Sequence, residues 1–394
     1  MSRYLPHWLD DVHRTRYAEF QDFVRSNVEP FAADWEREQA LPQMALLQIA
    51  ATGYLGASLP REHGGRAWDI VTFGLLNEAF GRGSPSLTSV ITVQAMAAMA
   101  ILRWGTKEQK STWLPRLSNG KLIAAFALTE PNAGSALHSL TTTYTRDSLG
   151  DYLRLNGVKR WITCAQIAGI FLVFGKLDER PIACIVPRDA PGLTIEPIRE
   201  LMGFRAAGLA TLTFRDVAVP LSNMVGKPGF GLSHVAPIGL HFGRISTACH
   251  ALGMLRGCVE DSADHAARRK VGDQQVGQFG MIRTLLARMA TDLHAATLLC
   301  LQACRSADDG ATDAFEDALA AKYFTSRAAV RAASDAVQTR GAAGCHESSA
   351  ASRYYTNAKI TEIIEGTTQI HEELLGKMIM ARSGMIPNPR RAGQ

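Results

Sequence analysis

The chain is 394 residues long, which at about 150 residues per domain predicts two or three domains. Hydrophobic residues make up 46% and charged residues 20%, a globular composition that excludes disordered, collagen-like and disulfide-stapled miniature chains. The 42 Lys and Arg against 37 Asp and Glu leave a net charge of +5, mild and spread out, so no nucleic-acid partner is expected.

Residues 1–121 read as helical. Phe20, Phe23, Val24 and Val28 lie at helical spacing, and Pro30 interrupts soon after. A second helix is predicted over 42–52, ended by Gly53, and a loop over 54–65 (YLGASLPREHGG). Two more helices are predicted over 70–80 and 88–104, the latter so apolar that it must be buried. A short polar helix starts at Gly105. From 122 to about 219 the texture is β. Short β-prone runs occur at 141–144, 152–155, 171–174, 182–186 and 193–195, and 210–215 alternates apolar and polar. Asn156-Gly157 reads as a hairpin turn. Many short strands with little helix predict a small antiparallel barrel or sandwich.

After Gly231 the chain is helical again. Ile282, Leu285, Met289, Leu293, Ala296 and Cys300 form one stripe, with Arg288 and Asp292 outside it. Phe315, Leu319, Tyr323, Val330 and Val337 mark a second long helix, joined to the first by a loop over 305–313. Long helices with short loops predict an antiparallel four-helix bundle. The expected architecture is α+β: a helical domain (1–121), a β domain (122–231) and a helical bundle (232–394). Basic clusters at Arg268-Arg269-Lys270 and Arg390-Arg391 read as solvated faces, with a phosphate-bearing ligand as the sharper alternative.

The apolar run 167–175 is about half the ~20 residues a membrane helix needs, and the N-terminus lacks a signal-type apolar stretch. A cytoplasmic protein without a membrane partner is expected. The seven cysteines, at 164, 184, 249, 258, 300, 304 and 345, contain no CxxC, so they read as reduced thiols and no metal is implied. GxGxxG, GxxxxGK[ST], GxSxG and HExxH are absent, which disfavours a Rossmann half, a P-loop, a strand-elbow hydrolase and a zinc protease.

Three segments carry chemical signal. FALTEPNAGS at 126–135 is a turn rich in small and hydroxyl residues at the junction of the helical and β regions; its plain reading is a connecting loop. Trp161-Ile162-Thr163 follows the Asn156-Gly157 turn, where Trp161 could simply be core. ITEIIEGTTQI at 360–370 places Glu365 where an apolar helix ends. Burial beside Ile363 and Ile364 would raise the carboxyl pKa. Gly366-Thr367-Thr368 would open the next helix and present free N–H groups, which suits a pyrophosphate.

In this order, on this architecture, the segments resemble the acyl-CoA dehydrogenases, flavoproteins with an N-terminal helical domain, a middle β domain and a C-terminal bundle. The similarity runs from about Phe20 to Gly384. It includes PREHGG at 60–65, WGTKEQK at 104–110, LPRLSNG at 114–120, ALTEPNAGS at 127–135, LNGVKRWIT at 155–163, FRDVAVP at 214–220, Gly243-Arg244 and AKITEIIEGTTQI at 358–370. The resemblance implies FAD as cofactor. Thr129 would bind the flavin edge beside Phe126 and Leu128, Trp161 would pack on the ring, and Thr163 would bond near N5. Thr367 and Gln369 would hold the phosphate and ribose end. Arg269, Gln338 and Gly341 would reach a neighbouring subunit's FAD, implying a homodimer or homotetramer. Ser135, also beside the cofactor, and Arg244 would contact the acyl-carrier arm, and Gly366 the substrate.

The resemblance further implies α,β-dehydrogenation of an acyl-CoA thioester. Glu365 is then the base, flavin N5 takes the hydride, and a separate electron acceptor reoxidises the flavin. Some relatives carry the base just before the arginine matched by Arg244; here that position is Gly243. Departures from the family pattern fall at Ala136, Gly272-Asp273, Phe279-Gly280, Gly341-Ala342, Cys345, Ser348 and Ser352. Two alternatives stay open: the same chemistry on a carrier-protein thioester, and a non-catalytic relative that binds nucleic acid or protein.

Overall fold

The computed structural model describes residues 5–383 and Met385; Gly384 and the Arg390-Arg391 cluster lie outside the described residues. Six α-helices come first: α1 (Asp11–Asn27), α2 (Ala32–Glu38), α3 (Gln43–Thr52), α4 (Ile70–Gly83), α5 (Pro85–Trp104) and α6 (Lys107–Ser118). Their starts follow capping chemistry. The Asp10, Asp69 and Ser84 side chains accept from His13, Thr72 and Leu87 N–H, and Thr106 forms a reciprocal box with Gln109. Pro85 sits at the first position of α5, where its missing N–H is harmless. α2 escapes the sequence pattern because it is short. α5 has the length and hydropathy of a membrane span, yet 89% of its most apolar window is buried inside the protein.

The middle region forms one eight-stranded sheet: β1 (Ala124–Ala127), β2 (Thr143–Arg146), β3 (Tyr152–Ile162), β4 (Ile170–Leu177), β5 (Arg180–Pro187), β6 (Leu193–Pro197), β7 (Ala210–Pro220) and β8 (Met224–Val225). The order is β6-β7-β3-β2-β4-β5-β8, with β1 pairing β4. Pairing is mostly antiparallel; β4 takes β1 and β2 as parallel partners. The hairpin expected at Asn156-Gly157 is not formed, because β3 runs straight through both residues. Gly157 instead makes a bulge against β7 with φ +150°, and a Cβ there would lie 2.8 Å from Thr142 Cα. The Asn156 side chain accepts the Asp216 N–H. The β2–β3 turn is built on Asp147, whose carboxylate accepts the Gly150 N–H at 2.7 Å.

A single π turn at 231–235 leads into the bundle: α7 (Ala236–Arg268), α8 (Gly280–Asp308), α9 (Ala314–Arg340), α10 (Ala350–Thr361) and α11 (Thr368–Arg382). A small hairpin, β9 (Lys270–Val271) and β10 (Gln274–Gln275), joins α7 to α8. The α8 stripe packs inward as expected. Arg288 and Asp292 do not pair with each other; they reach across to Asp335 and Arg331 of α9. In α9 the large residues Phe315, Tyr323, Val330 and Val337 are only half-buried. Leu319 is fully buried, and the rest of the inner face is a seam of small residues, Ala318, Ala321, Ala328, Ala329, Ala332 and Ala336, that lets α7 and α9 approach closely. One apolar core runs through the N-terminal helices and the bundle, and a second fills the sheet.

The α4–α7 contact depends on Gly253, where a Cβ would sit 2.0 Å from the Glu78 carbonyl oxygen. Gly253→Ala must push two buried helices apart. Overpacking of this kind costs roughly 1–3 kcal/mol, so the urea midpoint should fall with the slope unchanged.

Candidate active site

Between α10 and α11 the chain turns through Glu365 at φ +53° and Gly366 at φ +96°, two consecutive left-handed residues. The turn brings the Glu365 carboxyl against α7. A methyl group on Gly243 would lie 2.3 Å from Glu365 Oε2, and Met96 Sδ of α5 lies 3.1 Å from the same point. Oε2 is buried and has no hydrogen-bond partner. Burial raises the carboxyl pKa to about 7, against the opposing pull of Arg244 and Lys322. The expected desolvation is therefore present, but its source differs: Ile363 points outward, 53% exposed, and α5 and α7 supply the apolar wall.

The next residue on α7, Arg244, is buried with its guanidinium 5.1 Å from the Phe315 ring centroid and its Nε unpartnered. Lys322 of α9 is wholly buried and donates to the Gly366 carbonyl at 2.6 Å. Thr367 caps α11, its hydroxyl accepting the Ile370 N–H at 3.4 Å, so a helix does open where expected. Gln369 is exposed in its first turn.

The β sheet supplies the other wall. Phe126, on β1, and Leu128 just beyond it are buried. A methyl on Gly239, one turn before Gly243 on α7, would lie 2.5 Å from Phe126 Cε2, so this end of β1 and the Glu365 carboxyl border the same stretch of α7. Thr129 follows, half-buried, its carbonyl accepting the Arg160 N–H at 3.0 Å. Trp161, the penultimate residue of β3, takes a left-handed conformation, φ +62°, and is 46% exposed, with the Arg160 guanidinium 4.8 Å from its ring. Thr163 is half-buried two residues on, and Ser135 is exposed.

Glu130 is removed from any role as base. Lys159 Nζ donates to it at 2.8 Å, and Thr141 N–H, Thr141 hydroxyl and Thr142 N–H donate as well. Despite burial, these donors hold its carboxyl at about 2. Burial lowers the Lys159 ammonium to about 8, still charged at neutral pH. The pair fixes the loop, since Lys159 also donates to the Leu128 carbonyl at 3.0 Å.

Arg269, Gln338 and Gly341 are exposed and distant. Arg269 lies 26 residues beyond Gly243 and just past the end of α7, and Gln338 lies 16 beyond Lys322 on α9, about 39 and 24 Å at the helical rise. They cannot meet this chain's own Glu365. Met96, Gly239 and Lys322 are the site residues that sequence reasoning missed. Their signals were faint: a methionine in an apolar helix, a glycine near a helix start, and one lysine within an alanine-rich helix.

The residues at hand fit a flavin. An exposed tryptophan held in a strained backbone at the end of the sheet, threonines on either side of it in the chain, and a buried unpartnered carboxyl oxygen on the bundle side suit a flat ring with polar edges and a substrate beside it.

Comparison with known proteins agrees. The acyl-CoA dehydrogenase N-terminal, middle and C-terminal domains match residues 10–121, 125–217 and 231–380. The acryloyl-CoA reductase (NADH) of Anaerotignum propionicum is 32% identical, covering 92% of this chain and 93% of its own length. The short-chain specific acyl-CoA dehydrogenase, mitochondrial, of Homo sapiens is also 32% identical, with 92% and 88% covered. The structure of butyryl-CoA dehydrogenase from Megasphaera elsdenii superposes with a TM-score of 0.91 at 28% identity, over 95% of this chain and 100% of that one. The chain belongs to the acyl-CoA dehydrogenase family. That makes it an FAD-dependent oxidoreductase acting on CH–CH groups.

Proposed function

We propose that this protein removes the α-proton and β-hydride of an acyl-CoA thioester, with Glu365 as the base. The observation that carries the assignment is the buried, unpartnered Glu365 Oε2 facing a position where α7 has no side chain. Oε2 takes the proton from Cα, the C–H electron pair becomes the second Cα–Cβ bond, and the hydride leaves Cβ. FAD, when bound, accepts that hydride and so supplies the two-electron oxidant. The α-proton is weakly acidic, so the thioester carbonyl needs hydrogen-bond polarisation, which we assign in part to the Glu365 backbone N–H.

Phe126, Leu128, Thr129, Trp161 and Thr163 are assigned to the flavin ring, and Thr367 and Gln369 to its phosphate and ribose end. Ser135, Arg244 and Gly366 are assigned to the carrier arm and thioester. Arg269, Gln338 and Gly341 serve a neighbouring subunit's FAD, in keeping with their exposure and distance. The reading is of a cytoplasmic homodimer or homotetramer with a separate electron acceptor. Its helical, β and bundle domains are assigned to 1–121, 122–231 and 232–394.

The test is anaerobic mixing of FAD-loaded protein with a series of short-chain acyl-CoA thioesters. Oxidised-flavin absorbance should bleach, and faster as pH rises through about 7, because only the ionised Glu365 carboxylate accepts a proton. The same acyl group on a carrier protein should react more slowly. Absence of bleaching with every CoA thioester would overturn the reading.

A further inference from the structure

The turn that carries Glu365 lies outside both flanking helices, and its two left-handed residues are not held by a helical ladder. A non-glycine residue in that conformation costs of order 1 kcal/mol or more and persists only where its surroundings impose it. α9 supplies two of the restraints. Ser326 donates to the Thr361 carbonyl at 3.1 Å, at the end of α10, and Lys322 donates to the Gly366 carbonyl at 2.6 Å. The serine shows that a neutral hydroxyl serves for holding a carbonyl. A wholly buried ammonium is a far more expensive donor: burial lowers Lys322 to about 7 despite the pull of Glu365, so its charge is in place over the acid range and fades above neutrality.

The groups facing Lys322 come from three directions. Arg244 and His250 lie on α7, Glu362 and Glu365 on the turn, and His371 on α11. Burial holds both histidines neutral, and Lys359 pairs with Glu362 at 2.5 Å. The carboxylate without a partner of its own is Glu365.

We propose that Lys322 is a positioning residue of the reaction: its ammonium fixes the Glu365–Gly366 turn through the Gly366 carbonyl and adds to Arg244 a second buried positive charge that stabilises the ionised base. The proposal rests on the assignment of Glu365 as base.

The experiment measures anaerobic flavin reduction from acid to alkaline pH in FAD-loaded wild type, Lys322→Met and Lys322→Arg. Without the positive charge the carboxylate is harder to form. In Lys322→Met the acid limb should therefore move alkaline by about one pH unit, and the plateau rate should drop roughly tenfold. The substrate concentration for half-maximal rate should change less than about threefold, because the substrate contacts stay in place. Lys322→Arg should return the limb to its wild-type position. Infrared titration of the carboxyl band that Glu365→Gln removes should show the same displacement without substrate. A lower rate at every pH with an unmoved limb would reduce Lys322 to a structural role and overturn the proposal. Lys322→Gln, which keeps a donor but no charge, replaces Lys322→Met should that variant not fold, and failure of both neutral variants to fold would likewise overturn it. Wild-type reduction in Glu365→Gln would instead remove the base assignment. An inactive Glu365→Gln beside an unmoved Lys322→Met limb removes only the present inference.

Discussion

Glu365→Gln should retain the fold and FAD but reduce its flavin with an acyl-CoA some 10² to 10⁴ times more slowly, a barrier increase of about 3–5 kcal/mol. The amide has the same shape as the carboxyl, and burial already leaves that carboxyl partly protonated near neutrality. Neither carboxyl oxygen position is lost to packing, and Oε2 has no partner to strand. What disappears is the proton acceptor. No neighbour stands in for it: Gly243 has no side chain, and Glu130 is ionised and committed to Lys159 and three further donors. Stopped-flow spectra of the flavin would decide the matter. A rate near wild type would place the base elsewhere.

Lys159→Met should have the largest effect on stability. Lys159 and Glu130 are both buried, and breaking such a pair by removing one partner leaves an uncompensated charge, at about 3–5 kcal/mol. The acid dependence follows from the depressed carboxyl. Glu130 sits at about 2 against an ordinary 4.5, so its contribution is complete above 4.5 and is lost as pH falls toward 2. In the variant the loss should begin at higher pH, because the ammonium no longer favours the ionised form. The Leu128 carbonyl also loses its donor, so the loop before Thr129 slackens and FAD should be retained less well on gel filtration. A denaturant midpoint equal to wild type would mean that the Thr141 and Thr142 donors suffice alone.

The fold was legible in the sequence wherever periodicity was strong. α4, α5 and α8 lie where the apolar spacing places them, and the Gly53 stop is a left-handed cap. One reading failed for a physical reason. Asn156-Gly157 has the residues of a tight turn, but the same positive φ serves a bulge, and only pairing with β7 chooses between them. The second long helix is present as α9; of the residues that marked it Leu319 is fully buried, and Phe315, Tyr323, Val330 and Val337 are half-buried because close approach to α7 selects alanine for most of the inner face. Hydrophobicity alone misplaces such a seam. The candidate site was legible as motif: Glu365, Thr129 and Trp161 stood out by residue type and context. Its supports were not, since Gly239, Met96 and Lys322 acquire meaning only when α5, α7 and α9 converge on residues far along the chain.

The left-handed backbone at Glu365 has a further consequence. Residue 365 combines a conformation that glycine adopts freely with a charge that burial disfavours. A glycine there would relieve both penalties while removing the proposed base. The most durable form of this chain is therefore not its working form. With Glu365 as the proposed base, selection for thermal endurance alone would drift away from the glutamate, and only a demand for turnover would hold a carboxyl at 365.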